Sequence, residues 1–151
     1  MTREVDGLSL VPMNEPTIIA RSVEKAHIWI NDVAEELGTD DHAQAYRALR
    51  AYLHALRDRL PVNEAAQLAA QLPELIRGIY YEDWKPGATP VQYHSLADLL
   101  DRIAEDAGLG GETSASYAAS AVATVLRSHV SAGEIADVRA VLPEKLRPIL
   151  D

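Results

Sequence analysis

Four residues on one predicted helix hold the densest potential for chemistry in this chain. Arg47, Arg50, His54 and Arg57 fall at i, i+3, i+7 and i+10, which aligns them along a single helical face. A guanidinium fork binds carboxylate or phosphate oxygens in pairs, and an imidazole titrates near neutrality, so the stripe suits an anionic group on a partner or ligand. The competing role is a solvated face paired with Asp32, Glu35 and Glu36 of the preceding helix. A second set is aromatic: Tyr80, Tyr81, Trp84 and Tyr93, with Trp29 as a fifth candidate. Rings with polar tips suit a half-buried partner groove, and equally the packing of one part of a Phe-free chain against another.

Other arrangements fall short of the chemistry they suggest. Glu24 and His27 have the E-x-x-H spacing of di-metal bundles, which need two such motifs and two further inward carboxylates. One motif is present, so no metal site is expected; His27 should border the core, with Glu24 in solvent. The run Gly108-Leu-Gly-Gly-Glu-Thr-Ser114 precedes a helix but lacks the lysine of a phosphate-cradling loop, and reads as a connection capped by Thr113 or Ser114. The chain has no cysteine, no G-x-S-x-G, and no recognised Ser or Asp arrangement around its histidines at 27, 42, 54, 94 and 129. A noncatalytic chain without cofactor is the expectation.

The elements that position these residues are written twice. Displacing the sequence by 70 positions without a gap lays Lys25–Tyr80 on Ser95–Leu150, with 16 of 56 pairs identical. LPELIRGI (Leu72–Ile79) over LPEKLRPI (Leu142–Ile149) is the clearest run. Each copy must fold alike and bury its apolar face against the other. Periodicity and breakers predict helices near Ser22–Leu37, Asp41–Leu60 and Val62–Gln71, with a fourth opened by Pro73. The first has a stripe of Val23, Ala26, Ile30, Val33, Ala34 and Leu37, and the second one of Tyr46, Leu49, Tyr52, Leu53, Leu56 and Leu60. The second copy repeats the plan near Ser95–Ala107, Thr113–Val130, Ala132–Val141 and Pro143–Leu150, with Ser131 and Glu134 as a capping box. The expected architecture is all-α: two tandem four-helix repeats packed into one eight-helix bundle or short superhelix. Residues 1–16 read as a disordered or extended arm. Residues 17–151 read as one domain, with repeat one about 22–80, a Pro- and Gly-broken linker 81–90, and repeat two about 92–151.

Polar residues kept in both copies have structural explanations. Glu64/Glu134 and Glu74/Glu144 sit near helix starts, and Arg77/Arg147 lies three residues beyond the latter pair, a spacing that permits an ion pair. Glu35 is expected to bridge Arg57, and Glu105 to bridge Arg127. Positions that differ between the copies, the basic stripe and the linker aromatics, are therefore the better functional candidates. The formal net charge of −9 opposes broad contact with nucleic acid or anionic lipid. No apolar run approaches membrane-spanning length and Met1–Pro16 lacks a signal-peptide pattern, so a cytoplasmic location is expected.

Leu49–Trp84 (LRAYLHALRDRLPVNEAAQLAAQLPELIRGIYYEDW) followed by Ser128–Arg147 (SHVSAGEIADVRAVLPEKLR) resembles a bacterial family catalogued as domain of unknown function 2267. The resemblance spans most of Ser22–Leu150 and implies an all-helical bacterial protein; it carries no reaction, cofactor or catalytic residue. Two functions remain open. One is an interaction or adaptor module that binds a protein partner, or its own copy, through Arg47, Arg50, His54, Arg57 and the linker aromatics. The other is a small-molecule binder or sensor, with a pocket between the repeats lined by Trp29, Tyr80, Tyr81 and Trp84.

Overall fold

The computed structural model describes residues 16–151, apart from the side chains of residues 112 and 113, so the expected arm lies outside the described residues except for Pro16. It is all-helical: α1 (Thr17–Leu37), α2 (His42–Arg59), α3 (Val62–Ala70), α4 (Glu74–Tyr81), α5 (Leu96–Ala107), α6 (Glu112–His129) and α7 (Ala132–Val141). A 3-10 turn at Pro86–Ala88 interrupts the linker, and a 3-10 helix, Glu144–Leu150, ends the chain. That eighth helix departs from a regular α-helix because Pro148 lies inside it and has no N–H for an i→i−4 bond.

Matching local chemistry sets the ends of corresponding helices. Gly38 and Gly108 terminate α1 and α5 in the left-handed region, at φ 70° and 72°, where a side chain would be strained. Each N–H bonds back to a glutamate carbonyl, Glu35 or Glu105, and the next residue bonds back to Ala34 or Ala104. Asp41 caps α2 by accepting from the N–H groups of Ala43 and Gln44, Ser95 caps α5 through Asp98, and Ser131 caps α7 through Glu134. The expected capping box is only half made, because the Ser131 N–H donates to Gln71 Oε1 instead of to the Glu134 carboxylate. At α6 the N-cap is Gly111 with no side-chain cap, and Ser114 lies within the helix.

The helices cross between copies. α1 packs on α2 and also on α6; in the same way α5 packs on α6 and also on α2. α2 meets α6, and α3 meets α7. Exchanging the two copies leaves this set of contacts unchanged, the pattern of two units facing each other about a two-fold axis. A single apolar core runs through both, from Trp29 and Val33 through Leu53 and Ile76 to Leu99, Val122 and Leu150.

α1 differs most from expectation. It begins at Thr17, more than a turn before Ser22, and its buried residues are Ser22, Trp29, Val33 and Ala34. Val23 and His27 face solvent, as do Ile18, Ile19 and Ile28, so His27 does not border the core. Tyr46 of the predicted α2 stripe is also exposed. Ala26, Ile30, Val33, Ala34 and Leu37 of the expected stripe do pack against the core, and the stripe widens to Trp29 because α1 packs on α6 as well as α2.

Candidate functional site

The face of α2 that carries the basic stripe meets two helix C-termini, where carbonyls lack intrahelical donors and cations are favoured. Arg57 is 2% exposed, and its Nη1 donates to Tyr80 O at 2.7 Å and to Glu82 O at 2.6 Å. Its Nε donates to Asp58 Oδ1 at 2.8 Å. His54, also buried, donates from Nε2 to Ile79 O at 2.7 Å, which places the imidazole proton on that nitrogen. Both residues thus close the end of α4. Arg47 turns the other way, its Nε donating to Ala107 O at the end of α5. The same position in the second copy, Tyr117, donates from its hydroxyl to Leu37 O at the end of α1. Different residue types therefore perform equivalent work. Arg57 makes no ion pair with Glu35, and Arg77 donates to Ala69 O and Leu72 O, not to Glu74; short carbonyl contacts at helix ends take the place of the expected bridges.

Beside these caps lies a cleft of about 460 Å³ lined by Arg50, His54, Arg57 and Asp58 of α2, Asp83, Lys85, Ala88, Thr89 and Val91 of the linker, and Arg102 and Asp106 of α5. Asp58 is its hinge point. It accepts from Arg57 and, at 2.9 Å, pairs with Arg102 Nη2, so one carboxylate ties both copies together. Burial alone would raise the Asp58 carboxyl, but the hydrogen bonds and charges of Arg57 and Arg102 outweigh it and hold it below the ordinary carboxylate range. Arg102 also pairs with Asp106 and donates to the Tyr93 hydroxyl, which in turn donates to Ala55 O. The linker is pinned over the cleft by Val91 N–H to Asp58 O at 2.7 Å. At the rim Arg50 Nε pairs with Glu82 at 2.8 Å, a bond that lowers the Glu82 carboxyl and raises the guanidinium. Asp83, at φ 61°, and Lys85 form no ion pair with a described residue.

Arg50, His54 and Arg57 thus meet in one cleft, while Arg47 lies outside it. Trp29 is buried and stacked on His129, with ring centroids 4.8 Å apart. Tyr80 is fully buried and donates to Ala65 O. Tyr81 and Trp84 pack against each other and the core at 5.2 Å, and Tyr93 lies behind the cleft. The contributors missed in the sequence are Asp58, Asp83, Lys85, Arg102 and Asp106. Two were detectable by comparing copies, since Asp58 stands opposite Ser128 and Arg102 opposite Asp32.

His54 makes the cleft sensitive to acid. Burial lowers its pKa; the bond to Ile79 O and the Glu82 charge oppose this, while Arg57 and Arg50 add to it. The folded protein therefore holds a neutral imidazole at a pH where the unfolded chain takes up a proton. Its contribution is complete above the ordinary histidine value of about 6.5 and declines as pH falls below it. In thermal melts from pH 7 to pH 5, the wild-type melting temperature should fall relative to that of His54→Gln. A parallel pH course in the two proteins would mean that the folded state accepts the charged imidazole.

A family model described as Uncharacterized conserved protein (DUF2267) matches residues 26–149, most of the chain, and the chain belongs to that family. No curated protein matches it. Among the described residues no helix is long and apolar enough to cross a membrane.

Proposed function

We propose that this member of an uncharacterised family is a noncatalytic binding module whose linker cleft receives a small polar ligand carrying both a negative and a positive group. One observation carries the reading: α2, the linker and α5 bring four cations, Arg50, Arg57, Lys85 and Arg102, into the same cleft as Asp58, Asp83 and Asp106. Arg57 and Arg102 are held by Asp58, so they form a fixed wall. Arg50 and Lys85 at the rim supply N–H donors for a carboxylate or phosphate, and Asp83 and Asp106 supply acceptors for an ammonium. Arg50 and Asp106, already held by Glu82 and Arg102, lose little conformational entropy on binding. This reading keeps the ligand pocket between the copies but assigns its lining to ion pairs instead of Trp29, Tyr80, Tyr81 and Trp84.

A melting screen of amino acids, dicarboxylates, polyamines and phosphate esters tests this. Ligand at a hundred times its Kd should stabilise the fold by about 2.7 kcal/mol, a rise of several degrees in a chain of this size. Arg50→Ala combined with Lys85→Ala should weaken binding about 10- to 100-fold, with little change in the melting temperature without ligand. Zwitterions that bind no better than simple anions, or a double variant that binds normally, would remove the cleft from the proposal.

A second reading, a protein-interaction or adaptor module, draws on α1. Ile18, Ile19, Val23 and Ile28 are between 43% and 61% exposed on one helix, an apolar density suited to a protein partner or a second copy. Sedimentation of the wild-type chain and of Ile19→Lys would separate self-association from a solvated face.

A further inference from the structure

α3 and α7 carry an acidic pair that the 70-residue displacement maps onto itself and that meets across the copies. Glu64 and Glu134 are equivalent positions, and the two helices bearing them are packed together. A residue meets its own counterpart only at the axis relating two units. There, carboxylate oxygens of Glu64, Glu134 and Asp137 all lie within 4.8 Å of one another. Glu134 is 7% exposed. One oxygen of each glutamate, Oε2, is shut off from solvent and has no hydrogen-bond partner.

Two bare carboxylates do not remain so placed. Repulsion at this separation, added to lost hydration, disfavours the doubly ionised pair. Among the described residues no ion pair involves Glu64, Glu134 or Asp137. Asp137 adds a third acid on the same face of α7, where the first copy has Gln67. From α4 the neighbouring titratable group is the Tyr80 hydroxyl, already bonded to Ala65 O, while Arg77 is committed to Ala69 O and Leu72 O and Glu74 reaches Ser22. From the terminal helix Arg147 is committed to Arg139 O and Leu142 O, Lys145 to His94 O, and Glu144 is exposed. A proton on one carboxyl changes it from acceptor to donor and satisfies both buried oxygens with a single O–H···O bond.

We propose that Glu64 and Glu134 share one proton and act as a pH-sensitive clasp that holds α3 of the first copy to α7 of the second. Burial, then the hydrogen bond and charge of Glu64, then Asp137, push the Glu134 carboxyl up to about 8. The folded state therefore retains a proton that an unfolded glutamate releases near pH 4.5. The clasp is complete below that value and is lost as pH rises through about 8, the opposite direction to His54.

The test uses wild type, Glu134→Gln and Glu64→Gln, because an amide donates to the remaining carboxylate at every pH. Wild type should lose roughly 5–10 °C of melting temperature relative to either variant between pH 5.5 and pH 8.5. The difference between proteins removes the His54 contribution, and either variant suffices if the other does not fold. At pH 7 the infrared spectrum should show the carbonyl band of a protonated carboxylic acid, absent from Glu134→Gln. A pH-independent difference, or no such band, overturns the clasp. So does a calcium- or magnesium-dependent rise in the wild-type melting temperature at pH 8.5 that Glu134→Gln lacks, since a cation would then neutralise the pair.

Discussion

Arg57→Ala is expected to remove about 3–5 kcal/mol of folding stability, the cost of deleting one member of a buried charged network. The guanidinium is 2% exposed and donates to three acceptors on two elements: Tyr80 O, Glu82 O and the Asp58 carboxylate. An alanine leaves two carbonyls at the end of α4 without their charged donor and withdraws one of the two guanidinium groups that Asp58 faces. Arg102 would still hold the other Asp58 oxygen, which keeps the loss from being larger. Arg127 is the internal control. It donates to Leu150 O, the carbonyl equivalent to Tyr80 O, but it is exposed, so Arg127→Ala should cost about 1 kcal/mol or less. Urea denaturation followed by circular dichroism measures both. Equal losses would mean that the linker crossing Arg57 contributes nothing to its role.

The contrast between Arg57 and Arg127 also shows what was legible in the sequence. The repeat located the helices and paired Gly38 with Gly108 and Arg77 with Arg147, but the arginines close carbonyls instead of making the expected ion pairs. It did not reveal side-chain roles across space. Arg47 and Tyr117 look unlike each other, yet both close the C-terminus of the other copy's first helix. Glu64 and Glu134 look like routine first-turn acids, yet they face each other. Periodicity reports which face of a helix is apolar; it does not say which neighbour that face meets, and the crossed packing of α6 on α1 added Trp29 to the stripe and left Val23 out. The cleft was visible only as its α2 half, because Lys85 and Arg102 reach Arg50 and Asp58 through the path of the linker.

Trp29→Ala is the second large expected loss, about 3–5 kcal/mol, as for other buried aromatic truncations. Trp29 is 3% exposed where α1 packs on α6, and its indole stacks on the His129 ring at an interplanar angle of 22°. His129 in turn is hydrogen-bonded to Asp32 at 2.7 Å, so the ring joins an α1–α6 contact already fixed by that bond. The equivalent position in the second copy is Leu99, 1% exposed and part of the same core. Trp29→Leu therefore imports a residue the architecture already uses there, and should cost less than half as much as alanine. The two denaturation midpoints, read by circular dichroism because the substitution removes one of two tryptophans, decide between scaffold and recognition. A scaffold role requires the order wild type, leucine, alanine in stability. A Trp29→Ala protein that keeps its midpoint and instead loses a bound partner would return this residue to the interaction surface.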